Sequence, residues 1–284
     1  MDFLNHPETD RIIRSALEED VKGGDYTSLS TIPPGTRSRA RCLIKEAGVL
    51  AGVAFARRLF NHLDPDLRFE DVLADGDPIQ PGDIAFFVEG SVHTILTGER
   101  IVLNVMQRMS GIATQTRAVA DRLAGTNCRV LDTRKTTPLI RHLEKWAVEI
   151  GGGVNHRFGL YDMILIKDNH VDYAGGIANA INACNQYLRR NGMDLQIEIE
   201  TRSLEEVKQA LDTGGIHRIM LDNMSPEHMR IAVGMIGGKY ETEASGGITL
   251  ERVREVAETG VDFISMGALT HSVKSLDISL KAVV

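Results

Sequence analysis

The chain has 284 residues, 43% of them hydrophobic and 25% charged, with a formal net charge of −7. That length suits one large domain or two modest ones, with enough apolar residues to bury a substantial core. The acidity argues against sequence-independent nucleic-acid binding, which needs a basic face. No apolar run approaches the ~20 residues of a membrane span, and the N-terminus, MDFLNHPETD, lacks an apolar signal core. Cys42, Cys128 and Cys184 lie far apart without metal-ligand or redox spacing, so reduced thiols in a cytoplasmic protein are the simplest reading.

Ile12, Ile13, Ala16 and Leu17 predict a helix over residues 7–21, with Thr9 as a cap and the Gly23-Gly24-Asp25 turn as its end. Residues 39–53 alternate imperfectly and read as strands, and 55–63 as a helix. DVLADGDPIQPGDIAFFVEGSVHTIL is punctuated by Asp-Gly, Gly-Asp and Pro-Gly turns, which suits short antiparallel strands. A long helix is expected over 99–123. Beyond it, strands are expected at 129–131, 163–166, 195–199, 218–221, 240–243 and 262–265. Helices at 139–150, 172–190, 204–213, 226–236 and 250–259 separate them.

Six β/α units in series imply a parallel sheet. Without a Gly-x-Gly-x-x-Gly turn, a barrel is favoured over a dinucleotide fold, and six strands rather than eight leave it incomplete. The expected fold class is α/β, with an N-terminal α+β domain over 1–110 and an open parallel α/β barrel over 111–272. Residues 273–284 would pack back on the first domain.

Barrels carry function at the carboxyl ends of their strands. Those ends read Thr133-Arg134-Lys135, Lys167-Asp168-Asn169-His170, Glu200, Asp222-Asn223, Ser245-Gly246-Gly247 and Met266-Gly267-Ala268. Ser245-Gly246-Gly247, ahead of a helix, is either an anion cradle or a tight turn with Thr249 as N-cap. Glycine again at Gly267 tips the balance to phosphate. Arg134, Arg157 and Lys167, with His156, can hold carboxylates, the alternative being solvated surface charge. Lys135 can reach a phosphate.

Arg141, His142 and Lys145 are assigned to a solvated helix face. Glu198 and Glu200 alternate with Ile197 and Ile199, so both point to the same side, which inside a barrel is the interior. Such carboxylates need partners, and for Glu198 an internal salt bridge is preferred. Asp222 is similarly placed, and acidic residues beside phosphates can hold Mg²⁺. His156 and His170 lack the compact spacing of a Zn²⁺ site.

The segments EDVKGGDYTS, LNVMQRMSGIAT, DTRKTTP, GGGVNHRFGLYDMILIKDNH, IEIET, IMLDN, EASGGIT and SMGALTHS resemble, in order, those of the quinolinate phosphoribosyltransferase family. The resemblance spans almost the whole chain. It implies transfer of the phosphoribosyl group of 5-phosphoribosyl-1-pyrophosphate (PRPP) to quinolinate with decarboxylation, Mg²⁺ as cofactor, and a homodimer or higher oligomer. By the same resemblance Thr133, Arg134, His156, Arg157 and Lys167 would meet quinolinate, joined by Arg108 from the partner subunit. Lys135, Glu200 and Asp222 would be catalytic and would meet PRPP, with Asp222 an indirect Mg²⁺ ligand. Ser245, Gly246, Gly247, Met266, Gly267, Ala268 and His271 would surround a phosphate. Three rivals remain: a molybdenum-locus paralogue with another anionic acceptor, a metal-dependent barrel lyase using Glu200, Asp222 and His170, and a non-catalytic anion-binding protein.

Overall fold

His6, not Thr9, caps the first helix, α1 (Pro7–Asp20): its ring accepts the Glu8 N–H, and Pro7 needs no donor there. Thr9 is buried, and its hydroxyl donates to the Phe3 carbonyl at 2.7 Å. The computed structural model describes residues 1–283. Two compact units make up the chain. One comprises Met1–Arg117, Thr136–Gly152 and the residues from Ala268 onward; the other comprises Ala118–Lys135 and Gly153–Gly267.

In the first unit Asp25 does more than end a turn. It caps a short second helix, α2 (Tyr26–Thr31), by accepting the Ser28 N–H. Then follow β1 (Arg37–Ile44), β2 (Gly48–Val49), α3 (Val53–Leu63), β3 (Arg68–Asp71), β4 (Pro78–Ile79) and β5 (Ile84–Ser91). The C-terminal strand β12 (Ile278–Val283) pairs antiparallel with β1, giving a sheet of order β12-β1-β5-β3; β2 and β4 pair separately. Phe55, Leu59 and Phe60 of α3 and Phe86 and Val88 of β5 are buried in its core.

Helix α4 (Val92–Leu123) starts earlier than expected, because VHTIL belongs to it and not to a strand. Val102, Met106, Met109, Ile112, Val119 and Leu123 are buried at helical spacing. Gly111 is required within it: a Cβ there would lie 2.2 Å from the Lys274 carbonyl oxygen. Gly111→Ala is therefore expected to destabilise the protein by about 1–3 kcal/mol, the range for overpacking against rigid backbone. Thermal unfolding of the variant checks it; an unchanged Tm would mean the 274 backbone yields.

The assignment of Arg141, His142 and Lys145 to a solvated face is corrected by α5 (Arg141–Ile150). His142 and Lys145 are buried and Arg141 is half-buried. For His142 the reason is aromatic. Phe3 stacks on Trp146 and tilts against His142, whose Nε2 lies 3.0 Å from the Thr9 hydroxyl and from the Phe3 carbonyl. The N-terminal residues thus cover the face that charge alone suggested was open.

The second unit is built on a six-stranded parallel sheet. Its strands are β6 (Arg129–Leu131), β7 (Ile164–Ile166), β8 (Ile197–Thr201), β9 (Arg218–Asp222), β10 (Glu241–Ser245) and β11 (Phe263–Ser265), in the order β6-β11-β10-β9-β8-β7. From β7 to β11 each strand lies beside its predecessor, as crossover connections require. No ladder joins β6 to β7 among the described residues, so the sheet is not closed.

Helices α8 (Leu204–Thr213) and α9 (Pro226–Ile236) match expectation, capped by Ser203 and Ser225. The helix expected over 172–190 is two, α6 (Asp168–Ala174) and α7 (Ile177–Asn191), split by Gly175 and Gly176 at φ 79° and 121°. The last, α10 (Val253–Ala257), is short, and Thr249 is not its N-cap; Arg252 holds that position without a side-chain cap.

Candidate active site

Parallel strands end on one edge of their sheet, so the residues after β6 to β11 gather there. After β6, Thr133 Oγ1 accepts the Lys135 N–H at 3.0 Å, which bends the chain and leaves Lys135 exposed. Arg134 is half-buried, and its Nε is out of solvent with no hydrogen-bond partner among the described residues. Arg157 donates from Nη1 to the Met163 carbonyl at 3.0 Å. Burial lowers its pKa, and the nearby charge of Arg134 lowers it further. Two guanidiniums thus repel each other and one of them carries an orphaned donor, an arrangement that an anion would relieve.

Lys167, half-exposed at the end of β7, lies 3.5 Å from Glu200. Burial raises the Glu200 pKa, Lys167 opposes this, and Asp222 and Asp168 add to it. Glu200, Lys167 and Asp222 therefore share one electrostatic neighbourhood. His170 does not project from a strand end. It sits in α6, where its Nδ1 accepts the Lys167 N–H at 2.9 Å and fixes the start of that helix. Its Nδ1 is thereby committed to the helix start rather than to Glu200 and Asp222.

His156 sits deeper than a surface ligand would. Its N–H donates to the buried Asp132 Oδ1 at 2.8 Å, and its Nδ1 accepts the Arg157 N–H at 2.7 Å. Nε2 lies 3.1 Å from Glu198 and 3.5 Å from Glu243. Arg218 completes the cluster, 3.1 Å from Glu243 and 4.0 Å from Glu198. Burial opposes a charge on His156, but Glu198 and Glu243 outweigh it and raise its pKa to about 9. Burial, then Glu243, push Glu198 up to about 7. Because Nδ1 accepts the Arg157 N–H, the ring carries its own proton on Nε2, facing Glu198 and Glu243. Ligand atoms of His156, Glu198 and Glu243 lie within 4.8 Å of one another. The Arg218 guanidinium already supplies the positive charge a cation would bring, so this is an ion-pair cluster in the sheet interior.

Ser245 closes β10, and Gly246 and Gly247 follow at φ 96° and 59°. They precede a loop rather than a helix N-terminus, so any anion there would meet backbone N–H groups without the support of a helix dipole. Met266 is buried, its N–H donating to the Leu131 carbonyl at 3.0 Å, and Gly267 follows it as the last residue of the second unit.

Three expected residues belong to the first unit. Ala268 and His271 bound α11 (Ala268–His271), and His271 Nδ1 lies 2.6 Å from the Ser272 hydroxyl. Arg108 Nη2 donates to the fully buried Glu144 at 2.8 Å and to the Thr270 carbonyl at 2.6 Å. A cavity of about 360 Å³ opens beside Arg108, lined by Ile12, Ile101, Val105, Met109 and Leu143 among others.

Sequence reasoning missed Asp132, Arg218 and Glu243. The signal for Glu243 was present. The alternation rule applied to Glu198 and Glu200 also places Glu243 on an inward position of the ETEAS strand.

Known proteins share this chain's pattern. Family models for quinolinate phosphoribosyl transferase match its residues 25–110 (N-terminal domain) and 112–281 (C-terminal domain). The chloroplastic nicotinate-nucleotide pyrophosphorylase [carboxylating] of Arabidopsis thaliana is 48% identical, over 98% of this chain and 84% of that protein. The probable nicotinate-nucleotide pyrophosphorylase [carboxylating] of Bacillus subtilis is 42% identical, over 98% and 94%. The solved structure of the nicotinate-nucleotide pyrophosphorylase from Francisella tularensis superposes with a TM-score of 0.91 at 36% identity, covering 100% of this chain and 99% of that one.

Proposed function

The chain belongs to the quinolinate phosphoribosyl transferase family, and from that premise we propose how its residues share the work. The enzyme transfers the phosphoribosyl group of PRPP to quinolinate with loss of CO₂ and pyrophosphate, giving nicotinate mononucleotide for de novo NAD synthesis. One observation carries the division of labour: the Arg134–Arg157 pair, with its orphaned Nε. Quinolinate is a dianion and PRPP a polyanion, so the two repel each other and need a cationic meeting place. Arg134 and Arg157, with Thr133 beside them, hold the carboxylates, and Lys167 reaches from the Glu200 side. His156 belongs to this group through the Arg157 backbone that it fixes.

The ring nitrogen of quinolinate is already a nucleophile, so no general base is required. Catalysis rests on alignment and on stabilising charge as the bond from C1 to pyrophosphate breaks. The ribosyl centre becomes oxocarbenium-like, and Glu200 is placed to meet that charge or the ribose hydroxyls. Lys135 and the Ser245-Gly246-Gly247 and Met266-Gly267 turns are assigned to the phosphates. Asp222 and Glu200 fit an ion that accompanies PRPP: one carboxylate is half-exposed, and the other is opposed by burial with a single lysine at 3.5 Å. Magnesium there, held through water, would neutralise charge on the departing pyrophosphate.

The homodimer, with Arg108 entering the partner's site, is supported by the apolar cavity beside that arginine. In that arrangement quinolinate competes with Glu144 for the guanidinium. Three free cysteines, two of them buried, suit a cytoplasmic location.

The test is release of pyrophosphate and CO₂ from PRPP with quinolinate, set beside nicotinate. Quinolinate should turn over and nicotinate should not, because a single carboxylate leaves one cation of the pair unmet. Equal turnover of both would refute the dicarboxylate assignment and point to a paralogue with another acceptor.

A further inference from the structure

We propose that Asn223 is a positioning residue that aims the Asp222 carboxylate and braces the Ser245-Gly246-Gly247 turn, so that two adjacent strand ends meet PRPP as one unit. The proposal rests on the assignment of both elements to the PRPP side of the site. Asn223 follows β9 at φ 54°, the only residue of the second unit other than glycine with a positive φ. Asparagine tolerates that conformation better than most residues. Three of its four polar groups are directed at neighbours. The backbone N–H donates to the Ser245 carbonyl at 2.9 Å. The amide Nδ2 donates to Asp222 Oδ2 at 2.7 Å. The amide Oδ1 lies over Gly246, where a Cβ would sit 2.2 Å from it and 2.9 Å from the Asn223 nitrogen.

Register explains why one residue can do this. Asp222 and Ser245 are partners at the ends of β9 and β10, so the chain leaving each strand turns beside the other. Glycine at 223 would accept the backbone but offer no donor to Asp222. Aspartate would also accept the backbone but would set two carboxylates against each other. Only an amide supplies a donor on one side and a compact acceptor over Gly246 on the other. With Oδ2 held, the remaining lone pairs of Asp222 are fixed in direction before substrate arrives, which is what positioning requires.

Asn223→Gly removes the amide without strain or added charge, and Asn223→Asp keeps the shape but reverses the donor. Calorimetric titration with magnesium PRPP, steady-state KM for each substrate, and Tm should be measured for both variants and the parent. Positioning predicts a rise of about ten- to a hundredfold in the PRPP Kd and KM for Asn223→Gly, the scale of one hydrogen bond to a charged group. A larger rise is expected for Asn223→Asp, with quinolinate KM and Tm unchanged in Asn223→Gly. If only Asn223→Asp weakens PRPP, added charge is the whole effect and the proposal falls. It falls too if both KM values and Tm shift together in Asn223→Gly, as for a structural turn. A parent protein that does not bind PRPP would overturn the site assignment itself, and this inference with it.

Discussion

Arg134→Ala is expected to lower kcat/KM for quinolinate by about a hundred- to a thousandfold while leaving PRPP binding in the absence of quinolinate nearly unchanged. Truncating one partner of a desolvated charge pair costs about 2–5 kcal/mol, much of it from the partner left unpaired. Here that partner is a substrate carboxylate. The structure supplies the reason for asymmetry between the two substrates. Burial lowers the pKa of Arg157 and Arg134 lowers it further, while Arg134 keeps a buried Nε without a protein acceptor, which on the proposed assignment is the donor left for a carboxylate. Arg134→Lys should recover only part of the loss, since an ammonium cannot reproduce the planar fork. Calorimetry with quinolinate and with PRPP separately checks the split. Equal weakening of both ligands would move Arg134 to the phosphate side, and unchanged quinolinate affinity would remove it from the site.

The barrel-like half of this protein was legible because its strands are short apolar runs ending in charge. Helices α8 and α9 were read to the residue, since a serine cap precedes each and glycine follows each. Where reading failed, a distant partner had overridden a local pattern. Lys145 and His142 look solvated on a helical wheel, yet both are buried, His142 beneath Phe3, which also stacks on Trp146. Gly175 and Gly176, both at positive φ, divide what periodicity reads as one helix. Strand-end arithmetic placed Arg134, Lys167, Glu200 and Asp222 on one edge of the sheet, as the coordinates do. Alternation along ETEAS already points Glu243 inward, but Arg218 was beyond reach, because a cation inside a sheet is intelligible only with the charges opposite it in view.

That interior cluster carries the largest expected effect on stability. Arg218→Met removes a guanidinium 3.1 Å from Glu243 and 4.0 Å from Glu198, both fully buried. Two carboxylates would remain around one histidine, and breaking a buried ion pair in this way costs about 3–5 kcal/mol. A large fall in Tm is therefore expected. The intact cluster also has a pH signature. Glu198 is raised from 4.5 to about 7 and His156 from 6.5 to about 9, so the folded protein binds protons that the unfolded chain has released. Stability from each group is complete below its unfolded pKa and lost as pH rises through its folded one. Together they should make the second unit progressively less stable from about pH 5 to pH 9. Glu243 acts in the opposite sense. Burial opposes its charge, but His156, Ser265 and Arg218 prevail and hold its pKa below 4.5, so its contribution is lost only in acid. Glu198→Gln removes one of the two alkaline-sensitive groups and should flatten the decline between about pH 5 and pH 7. Unfolding curves of parent and Glu198→Gln across that range decide the matter. A parent whose stability climbs steadily to pH 9, or a variant with the same slope, would show that the cluster does not hold the extra proton.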